Sequence, residues 1–341
     1  MNKLRSAIIG CGNIHEVHAD SIKNNEDAKL VAVVDIKENR AKRTAIKYGC
    51  KYFQDYLELK NLDLDVVHIC TPHDLHVSMA INMMKNGYDV LVEKPIALNL
   101  KEANKMNNFS KKSGRRLGVV FQNRFNKNSQ YVKKIIQKKE MGKILGIKGF
   151  VTWHRDKDYY LKDEWRGSYN TEGGGVLISQ AIHTLDLIQW FGGKIDSVKG
   201  SRDIRVLDDI IEVEDTAEAT LYFSDNTVGL FYATNCYSTN SPVEIEIHFE
   251  KGITKLIGNK LIVNNKEINF SDDKNRNDSY KNYWGYGHEK LIDGFYKDIL
   301  HKTNLFTIDG SEGIKSLKLI EGINISHKTG KKYDLYSGDE T

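Results

Sequence analysis

The sequence predicts an α/β protein in two parts. Residues 1–121 read as a parallel sheet with helices on both faces. Residues 122–341 read as an α+β domain with a large, mainly antiparallel open sheet. Three observations lead there. Short apolar segments alternate with helix-period segments over the first third. A Gly10-x-Gly12 turn separates the first apolar segment from the first helical one. Beyond residue 122 the pattern changes to in/out alternation broken by turn residues. No linker, low-complexity stretch or internal repeat marks the boundary.

In the first part, "LRSAIIG", "AKLVAVVDI", "LDVVHICTP", "DVLVEKP" and "RRLGVVFQNR" are five apolar strands. They lack alternation, as strands covered on both faces do. Residues 37–48, 74–86 and 100–113 carry helical periodicity between them. In the second part a helix over 129–139 leads to the long strand "KILGIKGFVTWHR". "IEVEDTAEATLYF", "TVGLFYATNCY", "VEIEIHFE" and "KLIVNNKEINF" alternate as half-buried strands. "YGHEKLIDGFYKDIL" and "IDGSEGIKSLKLIEGINIS" read as closing helices. His288 begins the first of these, either capping it or reaching a ligand. Tyr283, Trp284 and Tyr286 form an aromatic group suited to a pocket wall or a subunit contact.

Composition excludes several classes. Hydrophobic residues at 40% and charged residues at 28% are globular values, neither disordered nor fibrous. No apolar run is long enough to span a bilayer. The opening "MNKLRSAIIGCGNI" runs into glycines and reads as a first strand, not a secretory leader. Cys11, Cys50, Cys70 and Cys236 show no metal-ligand or CxxC spacing, so free thiols in a reducing cytoplasm are expected, with no metal. A net charge of +4, with lysine runs lacking interleaved aromatics, argues against nucleic acid as a partner.

The glycine turn has a physical task in this setting. Gly10 permits the tight turn, and Gly12 lets the backbone approach a pyrophosphate at a helix N-terminus, with Asn13 and Ile14 completing the loop. His15 stands where a third small residue is usual. Asp35 ends the second strand 23 residues past Gly12, where a carboxylate binds a ribose 2′-hydroxyl and repels a 2′-phosphate. The first part is therefore expected to be a Rossmann domain that binds NAD in preference to NADP, although Lys37 and Arg40 stand nearby.

Ligands of such sheets lie at the carboxyl ends of the strands. Thr71, Pro72, His73 and His76 follow the third strand and sit on that edge, with cofactor contact or helix capping both open to the histidines. Glu93, Lys94 and Pro95 follow the fourth. A lysine desolvated there has its pKa open to change and can exchange a proton with a substrate oxygen. Glu93 can anchor that lysine or the ribose.

In the second part, Gly173 to Trp190 holds three glycines, then Ser179, Gln180, His183, Thr184 and Asp186 at helical spacing. Ser179 and Gln180, four and three residues before His183, are expected to share its side of one helix. By residues alone, His183 is either a core histidine bonded to a backbone carbonyl or a catalytic group.

GxG after the first strand, an acid ending the second, "TP" after the third and "EKP" after the fourth together resemble the Gfo/Idh/MocA oxidoreductases. The resemblance implies a Rossmann domain paired with an α/β domain, and NAD- or NADP-dependent chemistry on sugars, inositols and their derivatives. It also implies that Lys94 contacts nicotinamide and substrate hydroxyl, and that His183 is its partner on that hydroxyl. Family members carry glycines and then Asp or Asn four residues before the histidine. Gly174, Gly175, His183 and Asp186 match, whereas Ser179 departs from the pattern and shifts the proton-accepting role toward Lys94. "QNRFN", "YYLKDEWRGSYNTEGGG", "SQAIHTLDLIQW" and "IEVEDTA" are similar to the UDP-N-acetyl-2-amino-2-deoxyglucuronate 3-dehydrogenase branch. That likeness carries over Gln122, Arg124, Trp165 and Arg166 as cofactor- or substrate-facing positions. It implies a homodimer or homotetramer through the carboxy-terminal sheet. Two alternatives share these motifs: a non-catalytic NAD(H)- or sugar-binding sensor, and an NAD-assisted hydrolase or lyase.

Overall fold

The computed structural model describes residues 3–270 and 287–337. The aromatic group Tyr283, Trp284 and Tyr286 lies outside the described residues. The chain forms two compact units: Met1–Gln122 with Tyr286–Ile314, and Asn123–Gly285 with Lys315–Thr341. The sequence division at 121/122 was contiguous; residues 286–314 return to the first unit.

The first unit holds a six-stranded sheet of β1 (Leu4–Ile9), β2 (Ala28–Val34), β3 (Lys51–Phe53), β4 (Val66–Ile69), β5 (Asp89–Val92) and β6 (Leu117–Val119), in the order β3-β2-β1-β4-β5-β6. Every pair in it is parallel. β4 and β5 are buried along their whole length, as their unbroken apolar runs require. The order reverses between β1 and β4, which makes the carboxyl ends of those strands the ligand edge. The helices are α1 (His15–Asn24), α2 (Glu38–Tyr48), α3 (His76–Lys85), α4 (Leu100–Ser113) and, from the returning segment, α9 (Gly287–His301). α4 keeps its predicted limits because both ends are marked. Asn99 accepts a hydrogen bond from the Glu102 N–H at 3.0 Å, and Gly114 takes the left-handed φ of 67° past the end. α9 packs on α1, burying Leu291, Ile292, Phe295 and Tyr296.

The second unit is built on a nine-stranded sheet. Its strands are β7 (Ile144–Thr152), β8 (Ile195–Asp203), β9 (Thr216–Phe223), β10 (Val228–Thr234), β11 (Glu244–Phe249), β12 (Gly252–Ile257), β13 (Lys260–Val263), β14 (Lys266–Ile268) and β15 (Tyr333–Asp334). Their order is β14-β13-β12-β11-β7-β10-β9-β8-β15. The pairs are antiparallel except β7 with β10, which run parallel. This is the mainly antiparallel sheet that the alternation predicts. The helices described in it are α5 (Lys127–Gln137), α6 (Lys157–Leu161), α7 (Val176–Ser179), α8 (Ile182–Gly192) and, from Lys315 onward, α10 (Gly310–Thr329). α8 lies on β7 so closely that a Cβ on Gly149 would sit 2.7 Å from Ile188 Cδ1.

Candidate active site

In the first unit the glycine turn is built as expected. Gly10 takes φ +97°, and a Cβ there would meet the Cys70 carbonyl oxygen at 2.5 Å. Gly12 is different: a Cβ on it would meet nothing within 4 Å, so its backbone faces open space ahead of α1. His15, in place of a third small residue, turns inward. Its Nδ1 lies 2.5 Å from the Gly12 carbonyl oxygen and its Nε2 3.0 Å from Thr44 Oγ1, tying the turn to α2. These two contacts give separable expectations. Gly10→Ala lowers the thermal midpoint, at a cost of about 1–3 kcal/mol from forced positive φ and steric overlap. Gly12→Ala leaves the midpoint in place and weakens NAD binding in a calorimetric titration, because only the ligand needs that space.

Asp35, at the carboxyl end of β2, is held by two backbone donors. Its Oδ2 accepts from the Cys11 N–H and its Oδ1 from the Lys37 N–H, each at 2.8 Å. Each oxygen keeps a further lone pair for a diol. Asn13 is exposed, and Ile14 half-buried, on the same turn. Thr71 Oγ1 and Gln122 Oε1 are buried with no hydrogen-bond partner among the described residues. Buried polar atoms of that kind call for a partner. An open glycine backbone, a fixed acid and these acceptors fit NAD.

The Glu93-Lys94-Pro95 turn after β5 is bound on two sides. His76, fully buried at the start of α3, places Nδ1 2.8 Å from the Pro95 carbonyl and Nε2 3.0 Å from the Thr71 carbonyl, joining the two loops. His73 is buried beside it, with ring centroids 5.8 Å apart. His76 thus links the loops: its neutral ring donates to one of these two carbonyls and lies against the other. Glu93 Oε1 lies 2.9 Å from His18 Nε2 and 4.0 Å from His288 Nε2. Burial alone pushes the Glu93 carboxyl up; the His18 hydrogen bond and nearby charge, including Lys94, outweigh it and hold the carboxyl at about 2. Burial drives His288 down to about 3. Lys94 itself is half-buried.

Both shifts act on stability with the same sign. The Glu93 carboxyl is depressed, so its contribution is full above the ordinary 4.5 and lost as pH falls toward 2. The neutral His288 contributes fully above 6.5 and loses that contribution as pH falls toward 3. Acid unfolding of the wild type is therefore expected to steepen below pH 6.5, and Glu93→Gln to flatten its lower part, as followed by circular dichroism.

In the second unit the predicted single helix from Val176 is broken. α7 ends at Ser179 and α8 starts at Ile182. The Ala181 N–H reaches back five residues to the Val176 carbonyl at 2.8 Å, widening the turn between them. Ser179 and His183 therefore lie on either side of a break and not on one regular helical face. The glycines ahead of α7 have a packing cause: a Cβ on Gly175 would sit 1.8 Å from the Glu214 carbonyl oxygen. Glu214 Oε1 accepts from the N–H groups of Gly175 at 3.0 Å and Leu177 at 3.2 Å, which joins "GGG" to "IEVEDT".

Around that break the structure gathers Trp165, Arg166, Ser179 and Gln180. The Arg166 guanidinium stacks over Trp165 at 4.4 Å and Tyr159 at 4.5 Å, donates to Tyr159 Oη at 2.7 Å and lies 3.8 Å from Glu172. Gln180 donates to Tyr159 Oη at 2.9 Å and its Oε1 lies 3.3 Å from Asn235 Nδ2. The Ser179 hydroxyl donates to the buried Glu172 carboxylate. Burial pushes the Glu172 carboxyl up, against the Ser179 and Gly167 hydrogen bonds. His183 is half-buried on the first turn of α8.

Arg124 is tied to Asp186 on α8. Its Nε and Nη2 bind the two Asp186 carboxylate oxygens at 2.8 and 2.6 Å, with both side chains buried. The fork carried over as substrate-facing has a carboxylate inside the unit. Sequence reasoning missed His18, His68, Tyr159, Glu172, Asn235 and Tyr296. A histidine inside the apolar run "VVHIC" was one visible signal. His18, Asn235 and Tyr296 meet their partners across long sequence separations, whereas Tyr159 and Glu172 lie seven residues from Arg166 and Ser179, within "YYLKDEWRGSYNTEGGG".

A parallel sheet with a glycine turn at its switch point, an acid closing β2 and a lysine closing β5 defines a dinucleotide-binding oxidoreductase. Residues 4–121 match the model of the oxidoreductase family with an NAD-binding Rossmann fold, and residues 129–255 match that of the GFO/IDH/MocA C-terminal domain. The chain belongs to the Gfo/Idh/MocA oxidoreductases. It is similar to the WlbA dehydrogenase of Bordetella pertussis, crystallised with NADH and UDP-GlcNAcA, with TM-score 0.85, 28% identity and coverage of 98% of this chain and 99% of that one. It is 28% identical to the myo-inositol 2-dehydrogenase of Thermotoga maritima over 73% of this chain and 74% of that protein. It is also 32% identical to the scyllo-inositol 2-dehydrogenase (NAD(+)) of Bacillus subtilis, an alignment spanning 58% of this chain and 57% of that protein. Among the described residues, no helix is long and apolar enough to cross a membrane.

Proposed function

We propose that the protein is an NAD-dependent dehydrogenase that oxidises a secondary hydroxyl of a sugar, nucleotide sugar or cyclitol to a ketone. The observation that carries this reading is Lys94 at the carboxyl end of β5, directly after a buried carboxylate held ionised by His18. The crystallised WlbA complex and the two inositol dehydrogenases support the substrate class.

Gly10 and Gly12 would admit the pyrophosphate, Asp35 would bind the adenosine ribose, and Thr71 and Gln122 would offer their buried oxygens to the cofactor. The bound nicotinamide supplies the hydride acceptor. Lys94 takes the hydroxyl proton as the neutral amine, and the ammonium that results is balanced by Glu93. His183 assists on the same hydroxyl. Ser179 cannot supply the carboxylate usual at its position, but its hydroxyl is anchored to one, Glu172. Arg166 and Trp165 present a stacked cation suited to an anionic sugar substituent or a phosphate. Arg124 is held by Asp186 through its Nε and Nη2, which fixes the segment after β6 to α8.

The test is formation of NADH, read by its near-ultraviolet absorbance, with inositols, glucosides and UDP-linked N-acetylated sugar acids. Turnover of at least one class is expected, with a ketone as product. Failure with every class, or bond cleavage without net NADH, overturns the reading.

We also propose a homodimer or homotetramer through the outward face of the second sheet. Val228 and Leu230 on β10 are 43% and 53% exposed there. Paired apolar strands facing water are a common site of association. Leu230→Lys is expected to lower the mass measured by light scattering; a wild-type monomer contradicts the proposal.

A further inference from the structure

Past the carboxyl end of β7, five side chains of the second unit alternate between aromatic ring and guanidinium. The Arg155 Cζ lies 4.9 Å from the centre of the Trp153 ring and 5.1 Å from that of Tyr159. Arg166 lies over the same Tyr159 ring at 4.5 Å and over Trp165 at 4.4 Å. The contacts therefore run Trp153, Arg155, Tyr159, Arg166, Trp165, from the end of β7 through α6. This chain is fastened to a candidate substrate residue of the same unit. Tyr159 Oη accepts from Gln180 as well as from Arg166. The Arg155 backbone N–H donates to the Asn235 carbonyl at 2.8 Å, and the Asn235 side chain lies 3.3 Å from Gln180 Oε1.

The two cations differ in how their charge is met. Arg166 has Asp163 at 3.4 Å and Glu172 at 3.8 Å. Arg155 forms no ion pair among the described residues, and its partners are neutral. Its Nη1 donates to the His154 carbonyl and to Asn240 Oδ1, each at 2.7 Å. The adjacent Asp156 is engaged at the start of α6, where its Oδ1 accepts from the Tyr159 N–H at 3.0 Å. Arg155 Nε is buried with no hydrogen-bond partner among the described residues. The residue as a whole is only half-buried, so an anion can approach its head group from solvent. Nε and Nη2 form one edge of the guanidinium, whose two parallel N–H groups match two oxygens of a carboxylate or phosphate. Arg124 uses that edge in the same unit, giving Nε and Nη2 to Asp186. On Arg155 the same edge holds a buried donor without an acceptor, on a cation without a counter-charge, and both call for an anion.

We propose that the Nε–Nη2 edge of Arg155 is an oxyanion subsite for the substrate, so that the protein selects sugars carrying a carboxylate or phosphate over neutral cyclitols and glucosides. The proposal rests on the dehydrogenase reading made above and narrows its substrate class. Two rings beside the guanidinium limit how it turns, and the His154 and Asn240 bonds fix its Nη1 end. The fork is thus oriented before an anion arrives, which reduces the ordering cost of binding. The rings also displace water from the group, which strengthens its attraction for a charge at the remaining edge. A neutral hydroxyl can accept from that edge but leaves the positive charge unmet, so the gain is larger for an ionised oxygen pair.

The test is steady-state kinetics of the wild type, Arg155→Met and Arg155→Lys with NAD and a graded set of probes. myo-Inositol and methyl glucoside are neutral, glucuronate carries a carboxylate alone, and UDP-N-acetylglucosamine carries a pyrophosphate alone. A UDP-linked N-acetylated sugar acid carries both. The wild type is expected to show a higher kcat/KM with at least one anionic probe than with either neutral one. The anionic probe that leads identifies the source of the oxyanion. Arg155→Met is expected to lower kcat/KM for that probe by about 10–100-fold, through KM, with kcat within a few-fold. Arg155→Lys keeps the charge and loses the fork, so its loss should fall between. Equal losses on neutral and anionic probes would make Arg155 a structural brace and overturn the proposal, as would a wild type that prefers the neutral probes. If no probe is oxidised, the dehydrogenase reading fails, and calorimetric titration of the same probes decides the subsite by itself. Binding of an anionic probe that Arg155→Met weakens at least tenfold then supports it; no binding, or binding that the variant leaves intact, overturns it. Should Arg155→Met not fold, Arg155→Lys decides, and a wild-type KM for the leading anionic probe overturns the proposal.

Discussion

Lys94→Ala is expected to lower kcat by about 10²–10⁴-fold, the range in which a positioned proton acceptor contributes. NAD affinity should remain within a few-fold of the wild type, because most groups assigned to the cofactor are elsewhere: the Gly12 backbone, the Asp35 carboxylate, and the Thr71 and Gln122 oxygens. The separation matters because Lys94 is next to a buried carboxylate. Deleting the ammonium leaves Glu93 with less balancing charge, so some stability is lost as well. The His18 hydrogen bond at 2.9 Å remains and limits that loss. Lys94→Met, which keeps the stem and removes the charge, should match the alanine variant in rate. Steady-state kinetics with a competent substrate and calorimetric titration of NAD read the two effects independently.

Arg124→Ala and Asp186→Ala should each destabilise the protein by about 3–5 kcal/mol, since breaking a buried ion pair strands the remaining charge. The pair is bidentate, at 2.8 and 2.6 Å, and both side chains are nearly inaccessible. Ser316 also donates to the Asp186 carboxylate, at 3.3 Å. The joint replacement Arg124→Met with Asp186→Leu should cost less than either single change, because no charge is then buried alone. Urea unfolding followed by circular dichroism gives all three values. Equal and additive losses would show that the two groups do not depend on each other.

The first sheet was legible because its chemistry is local. Each strand is a short apolar run, the acid and the lysine terminate their own strands, and α4 is marked by Asn99 and Gly114. β3 was not foreseen: it is three residues long and pairs on one side at a sheet edge, so neither burial nor alternation marks it. The return of α9 to the first unit was also hidden. Its amphipathic pattern fixes a buried face but does not say which helix covers it. At the proposed site, motif spacing points to Gly12, Asp35, Lys94 and His183. It misjudged the Ser179–His183 relation, because the wide turn at Ala181 depends on a backbone bond that no residue type announces. The pairing of His18 with Glu93 was unreadable because the two are 75 residues apart and meet only in three dimensions.

The claim beneath the proposed mechanism is that Lys94 and His183 serve one hydroxyl. A double-mutant cycle on kcat/KM tests it most directly. If the two act as a unit, Lys94→Ala with His183→Ala together should be little slower than Lys94→Ala alone. Losses that multiply fully, with no coupling between the two positions, would contradict it.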